Sequence, residues 1–261
     1  MGTRSYSGAL FYRGAGHVNP LALSNGMVAA AIDLGARIHD ASPVLGFVRT
    51  DGRWILQTPE GQLTADKVVI ATNAYSGSFA PQLRNVFVPV MSYQCATHPL
   101  PEGIRESVMP SDCAASDTRG DMRFFRKDRA GRLVSGCALA LPYGAERRAP
   151  PWIERRLAET FPQIPDRKLE YLWSGYVAIT TDRLPRIHQL GPGCITAIAY
   201  NGRGVALAAA MGAAFADWAE GLAEDRLPLP LLPIAPQPAY KLVRRWANLA
   251  LLWFRWKDGR D

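Results

Sequence analysis

The chain has 261 residues, 48% of them hydrophobic, and a formal net charge of +7 at pH 7. That length can bury one large core or two modest ones, and no apolar run approaches the ~18 residues of a membrane-crossing helix. Residues 237–261 hold six Lys/Arg against two Asp, so most of the basic excess is local to the tail. The rest lacks a basic stripe interleaved with exposed aromatics, which argues against nucleic acid as a partner. Cys95, Cys113, Cys137 and Cys194 have no C-x-x-C spacing, and Met1-Gly-Thr-Arg-Ser-Tyr lacks the apolar stretch of a secretory leader. Free thiols in a reducing cytoplasm are expected, with Cys137 and Cys194 as small buried residues. His17, His39, His98 and His188 are isolated, so no metal site is predicted.

Tyr, Leu and Phe among glycines at residues 5–18 predict a short strand and a loop. Asn19-Pro20 is an N-cap followed by proline at the first helical position. Leu23, Met27, Ala30, Ala31 and Leu34 continue at helical spacing, and Gly35 is placed to end the helix. Strands are predicted at Arg37–His39, Val44–Arg49 and Trp54–Thr58, with turns at Asp51-Gly52 and Pro59-Glu60-Gly61. Asp66–Ala71 is β-branched and does not alternate, so it reads as a central parallel strand running into the polar turn Thr72–Ser76. This succession is an α/β unit of the nucleotide-binding kind.

From Pro81 the pattern becomes β-rich. Val86–Thr97, Met122–Arg126 and Leu133–Leu141 read as antiparallel strands, with turns at Asp128–Gly131 and Pro142–Gly144. A helix at Trp152–Phe161 and a strand at Lys168–Thr180 follow. Cys194–Tyr200 is a nearly continuous apolar run, as a strand buried on both faces would be. Asn201-Gly202-Arg203-Gly204 then turns into a helix marked by Val205, Ala208, Met211, Phe215 and Trp218. Such a corner presents free N–H groups and a partial positive charge that suit an anion or a polarised cofactor carbonyl; an ordinary strand–turn–helix corner is the alternative.

Five prolines in the twelve residues from Leu227 predict an extended link. Beyond it Leu242, Trp246, Leu249, Trp253 and Trp256 share one helical face, with Arg244, Arg245 and Arg255 off it. This helix either docks peripherally on a membrane surface or packs against its own domain or another subunit, through residues 242–256.

Four stretches, GAGHVNPLALSNGMVAAAIDLGARI, QLTADKVVIATNAYSG, GYVAITTDRLPRI and AYNGRGVALAAAMGAAFADW, resemble the flavin-dependent oxidases of the D-amino-acid oxidase superfamily. Within it they are most similar to gamma-glutamylputrescine oxidase-like enzymes. The resemblance runs from about residue 8 to the end and implies a mixed α/β fold. A partial FAD-binding Rossmann-like domain (17–80 and 181–226) would carry an inserted antiparallel β-sheet substrate domain (1–16 and 81–180). Residues 227–261 form the link and terminal helix. The implied chemistry is hydride transfer from the carbon beside an amine nitrogen to FAD.

The resemblance places Val44 at the adenine end of FAD and Ala71, Thr72 and Asn73 near its ribose and pyrophosphate. It places Asn201, Gly202, Arg203, Gly204 and Val205 at the pyrimidine edge of the flavin ring. Tyr93, Trp173, Tyr176 and Arg203 are the implied substrate-facing residues, each aromatic being alternatively a core or cleft-wall residue. No general base is identified, and Asp182 and Arg183 are expected to pair across their turn. Relatives that bind a substrate carboxylate carry an Arg or Lys where this chain has Val177 and Ala206, so an amine lacking that carboxylate is implied. No cysteine stands near Tyr176, so FAD is expected to be non-covalent. The family's opening strand–GxGxxG–helix is absent; Gly14-Ala15-Gly16 leads into His-Val-Asn-Pro. The chain is therefore expected to be a C-terminal part of the enzyme, with the rest lost or supplied by another polypeptide, or else an inactive remnant or a partner-binding module, with weak FAD binding alone and an open sheet edge.

Overall fold

A computed structural model of the chain describes residues 1–139 and 143–259. The predicted end of the Leu133–Leu141 strand and start of the Pro142–Gly144 turn lie outside these residues. In chain order the elements are α1 (Pro20–Asp33), β1 (Gly46–Thr50), β2 (Arg53–Thr58), β3 (Gly61–Ala65) and β4 (Val68–Ile70). Next come β5 (Val88–Pro99), α2 (Glu102–Ser107), β6 (Ala115–Ser116), β7 (Phe124–Lys127), β8 (Arg132–Ala138) and α3 (Ala145–Thr160). The last are β9 (Leu169–Ile179), β10 (Arg186–Gly191), β11 (Cys194–Ile198), α4 (Gly204–Ala219), β12 (Leu231–Leu232) and α5 (Tyr240–Asp258).

The chain divides into two units, one made of Met1–Leu23, Met91–Gly175 and Arg245–Asp261, the other of Ser24–Val90 and Tyr176–Arg244. The first is built on a sheet of order β6-β7-β8-β5-β9. Helix α3 buries Ala145, Ala149, Ile153 and Leu157, every fourth residue, in a core with Phe125, Leu133, Phe161 and Ile164. The helix begins before the predicted Trp152, because Gly144 at φ +63° turns the chain and Pro150 and Pro151 are accommodated inside it. The two prolines forfeit the N–H bonds to the Glu146 and Arg147 carbonyls. Cys95 and Cys137 are buried in this unit, and burial pushes their thiols up to about 12 and about 11. The predicted burial of Cys137 and Cys194 holds: they are 3% and 0% exposed.

The end of the tail belongs to this first unit, whereas residues 227–244 belong to the second. Near its C-terminus α5 is fastened by Phe254, Arg255 and Asp258. Phe254 covers Gly120, and the Asp258 carboxylate accepts the N–H groups of Gly120 and Asp121 at 3.0 and 2.9 Å. Arg255 Nε donates to Asp121 Oδ2 at 2.7 Å, and Arg156 Nη2 lies 3.0 Å from the same oxygen.

The second unit holds the meander β1-β2-β3 and the mixed sheet β12-β10-β11-β4. Asp51 and Gly52, at φ 50° and 81°, make the predicted hairpin turn. Strands β3 and β10 were not anticipated: β3 is exposed over most of its length, and β10 has a mixed composition. No strand forms at Arg37–His39. Strand β11 is buried throughout, as its unbroken apolar run requires. Cys194 and Ile198 enter one core with Trp54, Val68 and Ile70, while Ile195 and Ala197 pack on Met211, Phe215 and Trp218 of α4.

The parallel register of β4 with β11 matches Ile70 to Thr196. The predicted central position of β4 does not hold. Among the described residues β4 pairs only with β11 and ends the sheet, leaving Val69 39% exposed although Val68 and Ile70 are buried. The apolar run encodes burial, but no further strand is present among the described residues to cover it. Helix α1 is similar. Asn19 Oδ1 accepts the N–H groups of Leu21 and Ala22 at 3.1 Å, the predicted cap, yet no residue of the helix is buried. Leu21, Met27 and Ile32 are 69%, 54% and 52% exposed, so the helix forms from capping and propensity and contributes no core.

His188 sits 2% exposed on β10, its Nδ1–H donating to the Leu232 carbonyl while Nε2 has no hydrogen-bond partner. Burial lowers its pKa and outweighs the Leu232 and Pro233 main chain, which raises it; Arg186 adds to the lowering. The unfolded imidazole takes up a proton near pH 6.5 and the folded one only below that. Below about pH 6.5 the unfolded state therefore binds more protons, and stability falls with the pH. The urea midpoint is expected to drop on going from about pH 7 to about pH 5.5, and His188→Leu to flatten that drop. Equal slopes for the two proteins would refute this.

Candidate functional site

Two turns at the C-terminal ends of parallel strands define the candidate site. Strand β4 leaves the sheet at Ile70 into Ala71 and Thr72, both exposed, and then a 3-10 turn, Asn73–Tyr75. Asn73 is left-handed at φ 44°. The Thr72 and Ser76 hydroxyls lie 2.8 Å apart, and the Ser76 hydroxyl donates to the Asn73 carbonyl at 2.8 Å. Strand β11 leaves at Ile198 into Ala199, Tyr200 and the Asn201-Gly202 turn, with φ of 53° and 84° at the last two. Asn73 Oδ1 accepts the Ala199 N–H at 3.0 Å and so joins the two turns. Open α/β sheets take ligands at this end of their strands.

Asn201 is a clamp. Its Oδ1 accepts the N–H of Thr180, at the end of β9, at 2.9 Å, and its Nδ2 donates to the Ala199 carbonyl. Thr180 is 1% exposed, so that N–H depends on Asn201. Arg203 precedes α4; its Nη2 donates to the Arg183 carbonyl at 2.7 Å and the side chain is otherwise exposed. Asp182 does not pair with Arg183 as expected. Its Oδ2 lies 2.8 Å from Arg186 Nη2, because Arg183 at φ 59° points the chain elsewhere.

The N–H groups of Gly204, Val205 and Ala206 open α4 and have no acceptor within it. The first bond inside runs from the Leu207 N–H to the Arg203 carbonyl, at 3.2 Å. The corner is open: a Cβ built on Gly202 meets nothing within 4 Å, and Val205 is 52% exposed. Side chains of Asn73 and Asn201 are spent holding the turns. What the corner offers a ligand is backbone N–H groups, the positive end of the helix dipole and small exposed residues. These fit the carbonyl edge of a flat ring such as a flavin, and Ala71 and Thr72 offer main chain at the neighbouring strand end.

The other predicted residues fall as follows. Val44 is half-buried beside Leu45, whose N–H donates to the Gln57 carbonyl in the meander at 2.8 Å. Tyr93 and Trp173 belong to the first unit and Tyr176 to the second. Tyr93 is 6% exposed and is a member of the first unit's core, whereas Trp173 and Tyr176 are 45% and 46% exposed. The Tyr176 N–H donates to Tyr75 Oη at 2.9 Å, and the two rings meet edge-on at 5.7 Å. The roles of Tyr75 and Thr180 went unread in the sequence, since both depend on partners about 21 to 101 positions away. No group of His, Cys, Asp or Glu among the described residues could hold a metal ion.

Residues 2–218 match the family described as DAO, FAD dependent oxidoreductase. The chain is 30% identical over 265 residues to a probable oxidoreductase OrdL of Rhizobium meliloti (strain 1021), covering 99% of this chain and 60% of that protein. It is 30% identical over 244 residues to the gamma-glutamylputrescine oxidoreductase of Escherichia coli (strain K12), covering 92% and 56%. A glycine oxidase structure from Geobacillus kaustophilus superposes with a TM-score of 0.64 at 21% identity, over 80% of this chain and 57% of that one. The chain thus spans 60% or less of each of these three relatives.

Proposed function

The chain belongs to the DAO family of FAD-dependent oxidoreductases, and on that basis we propose that it carries the flavin-ring end and the substrate sheet of an enzyme oxidising an amine C–N bond. The observation that carries this reading is the meeting of the Ala71–Asn73 and Asn201–Val205 turns, bridged by Asn73 Oδ1 and the Ala199 N–H. FAD, when bound, supplies the acceptor for a hydride from the carbon beside the amine nitrogen. The chain's own part is positioning and charge. The N–H groups of Gly204, Val205 and Ala206 and the helix dipole would balance negative charge arising at the ring's pyrimidine edge. A neutral amine needs orientation rather than a strong base, which is consistent with the lack of a carboxylate or imidazole at either turn. Val177 and Ala206 supply no cation for a substrate carboxylate, so the substrate is an amine without one at the reacting carbon. With no cysteine near Tyr176 the cofactor is held non-covalently. The thiols, three of them buried, agree with a cytoplasmic setting.

A second reading is favoured by the unpaired edge of β4: a catalytically inactive unit that acts by binding a partner. Titration of the purified chain with FAD, followed by gel filtration and visible absorbance, separates the two. Retained flavin that is bleached anaerobically by gamma-glutamylputrescine or another primary amine supports the enzyme. Protein that stays colourless at every FAD concentration overturns it for this chain.

A further inference from the structure

Helix α5 is fastened by the opposite side from its tryptophans. Phe254, Arg255 and Asp258 face the first unit, where Arg255 also lies 4.3 Å over the Trp152 ring. Leu242, Trp246, Leu249, Trp253 and Trp256 follow at spacings of four, three, four and three, which puts them on one stripe. Leu242, Trp246, Trp253 and Trp256 are 59%, 54%, 55% and 56% exposed. The helix packs on the first unit through Phe254, Arg255 and Asp258, while most of its apolar stripe faces solvent.

The charge around the stripe has one sign. Between Tyr240 and Lys257 there is no Asp or Glu, and Asp258, the one acid in the helix, is engaged with Gly120 and Asp121. Arg255 is likewise engaged with Asp121, which leaves Lys241, Arg244, Arg245 and Lys257 exposed. Helix-to-helix pairing of two copies along this stripe would bring like charges together. An anionic lipid surface attracts them instead, and tryptophan is at home at the boundary of headgroup and acyl chain. The helix is not long and apolar enough to cross a membrane. We propose that α5 is an interfacial membrane anchor, lying in the surface of an anionic bilayer through Leu242, Trp246, Trp253 and Trp256.

The test is sedimentation of the full chain with phosphatidylcholine vesicles, with and without phosphatidylglycerol, alongside tryptophan emission. Binding to the anionic vesicles is expected, weakening with added salt and shifting emission to the blue. Trp246→Ala with Trp253→Ala should weaken partitioning about tenfold. Lys241→Gln with Arg244→Gln and Arg245→Gln should reduce it to the level of neutral vesicles. These side chains are exposed, so both variants should keep the wild-type circular dichroism and melting curve. Three outcomes would overturn the anchor: no binding to anionic vesicles, equal binding by folded variants, or a salt-independent dimer abolished by the tryptophan substitutions.

Discussion

Replacing Asp121 with asparagine is expected to destabilise the first unit by about 3–5 kcal/mol, the cost of leaving a buried cation without its counter-charge. Asp121 and Arg156 have side chains only 7% and 6% exposed, and Arg255 closes the group from α5. Arg156 also donates to the Asp121 carbonyl at 2.6 Å and the Gly136 carbonyl at 3.3 Å, so it cannot swing out to water without breaking main-chain bonds. Burial already pushes its pKa down, and Asp121 is the main influence opposing that. Urea unfolding would read the loss. Hydrogen exchange should also show earlier opening of Arg245–Asp258, since the carboxylate is one of the fastenings of the terminal helix. Arg255→Met should cost less, because its partner keeps Arg156. A D121N protein as stable as the parent would show that the cluster is dispensable.

Asn201→Ala is expected to cost about 2–3 kcal/mol through two lost hydrogen bonds and a left-handed residue that alanine accommodates poorly. Asn201→Gly restores the freedom of φ 53° and should recover about 1 kcal/mol of that. What glycine cannot restore is the acceptor for the buried Thr180 N–H. The two variants therefore separate backbone strain from side-chain clamping by thermal denaturation. In FAD-loaded protein they also test the site: both should weaken flavin retention if the turn lies against the ring. Unchanged flavin affinity in a folded Asn201→Gly would remove the turn from the cofactor site.

Much of this was legible because it is local. The Asn19 cap, the Asp51-Gly52 turn, the apolar run of β11 and the period of α4 are written in neighbouring residues, and each takes its predicted form. The tryptophan stripe of α5 is of the same kind. Mixed-composition strands such as β3 and β10 carry little local signal and are ordered by pairing with β2 and β11. The apolar run Val68–Ile70 of β4 and the helical spacing of Leu23, Met27, Ala30 and Ala31 in α1 suit both elements to burial. That pattern could not show whether anything in this chain covers them, and Val69 and all of α1 stay uncovered among the described residues.

Local caps, turns and periodicities and the family-bearing stretches can be read along the chain, although α3 starts at Ala145 rather than at the expected Trp152. The tertiary structure settles which side chains are already engaged. The Asn73 and Asn201 side-chain amides accept the Ala199 and Thr180 N–H groups, while the N–H groups that open α4 have no acceptor within the helix. The tertiary structure also decided which side of α5 is fastened and where Asp121 and Arg156 meet. The reason is physical: capping and periodicity act over a few residues, whereas a hydrogen bond between Asn73 and Ala199 joins positions 126 apart. No pattern in one strand names its partner. The fold has to bring the two strand ends side by side before their turns can meet.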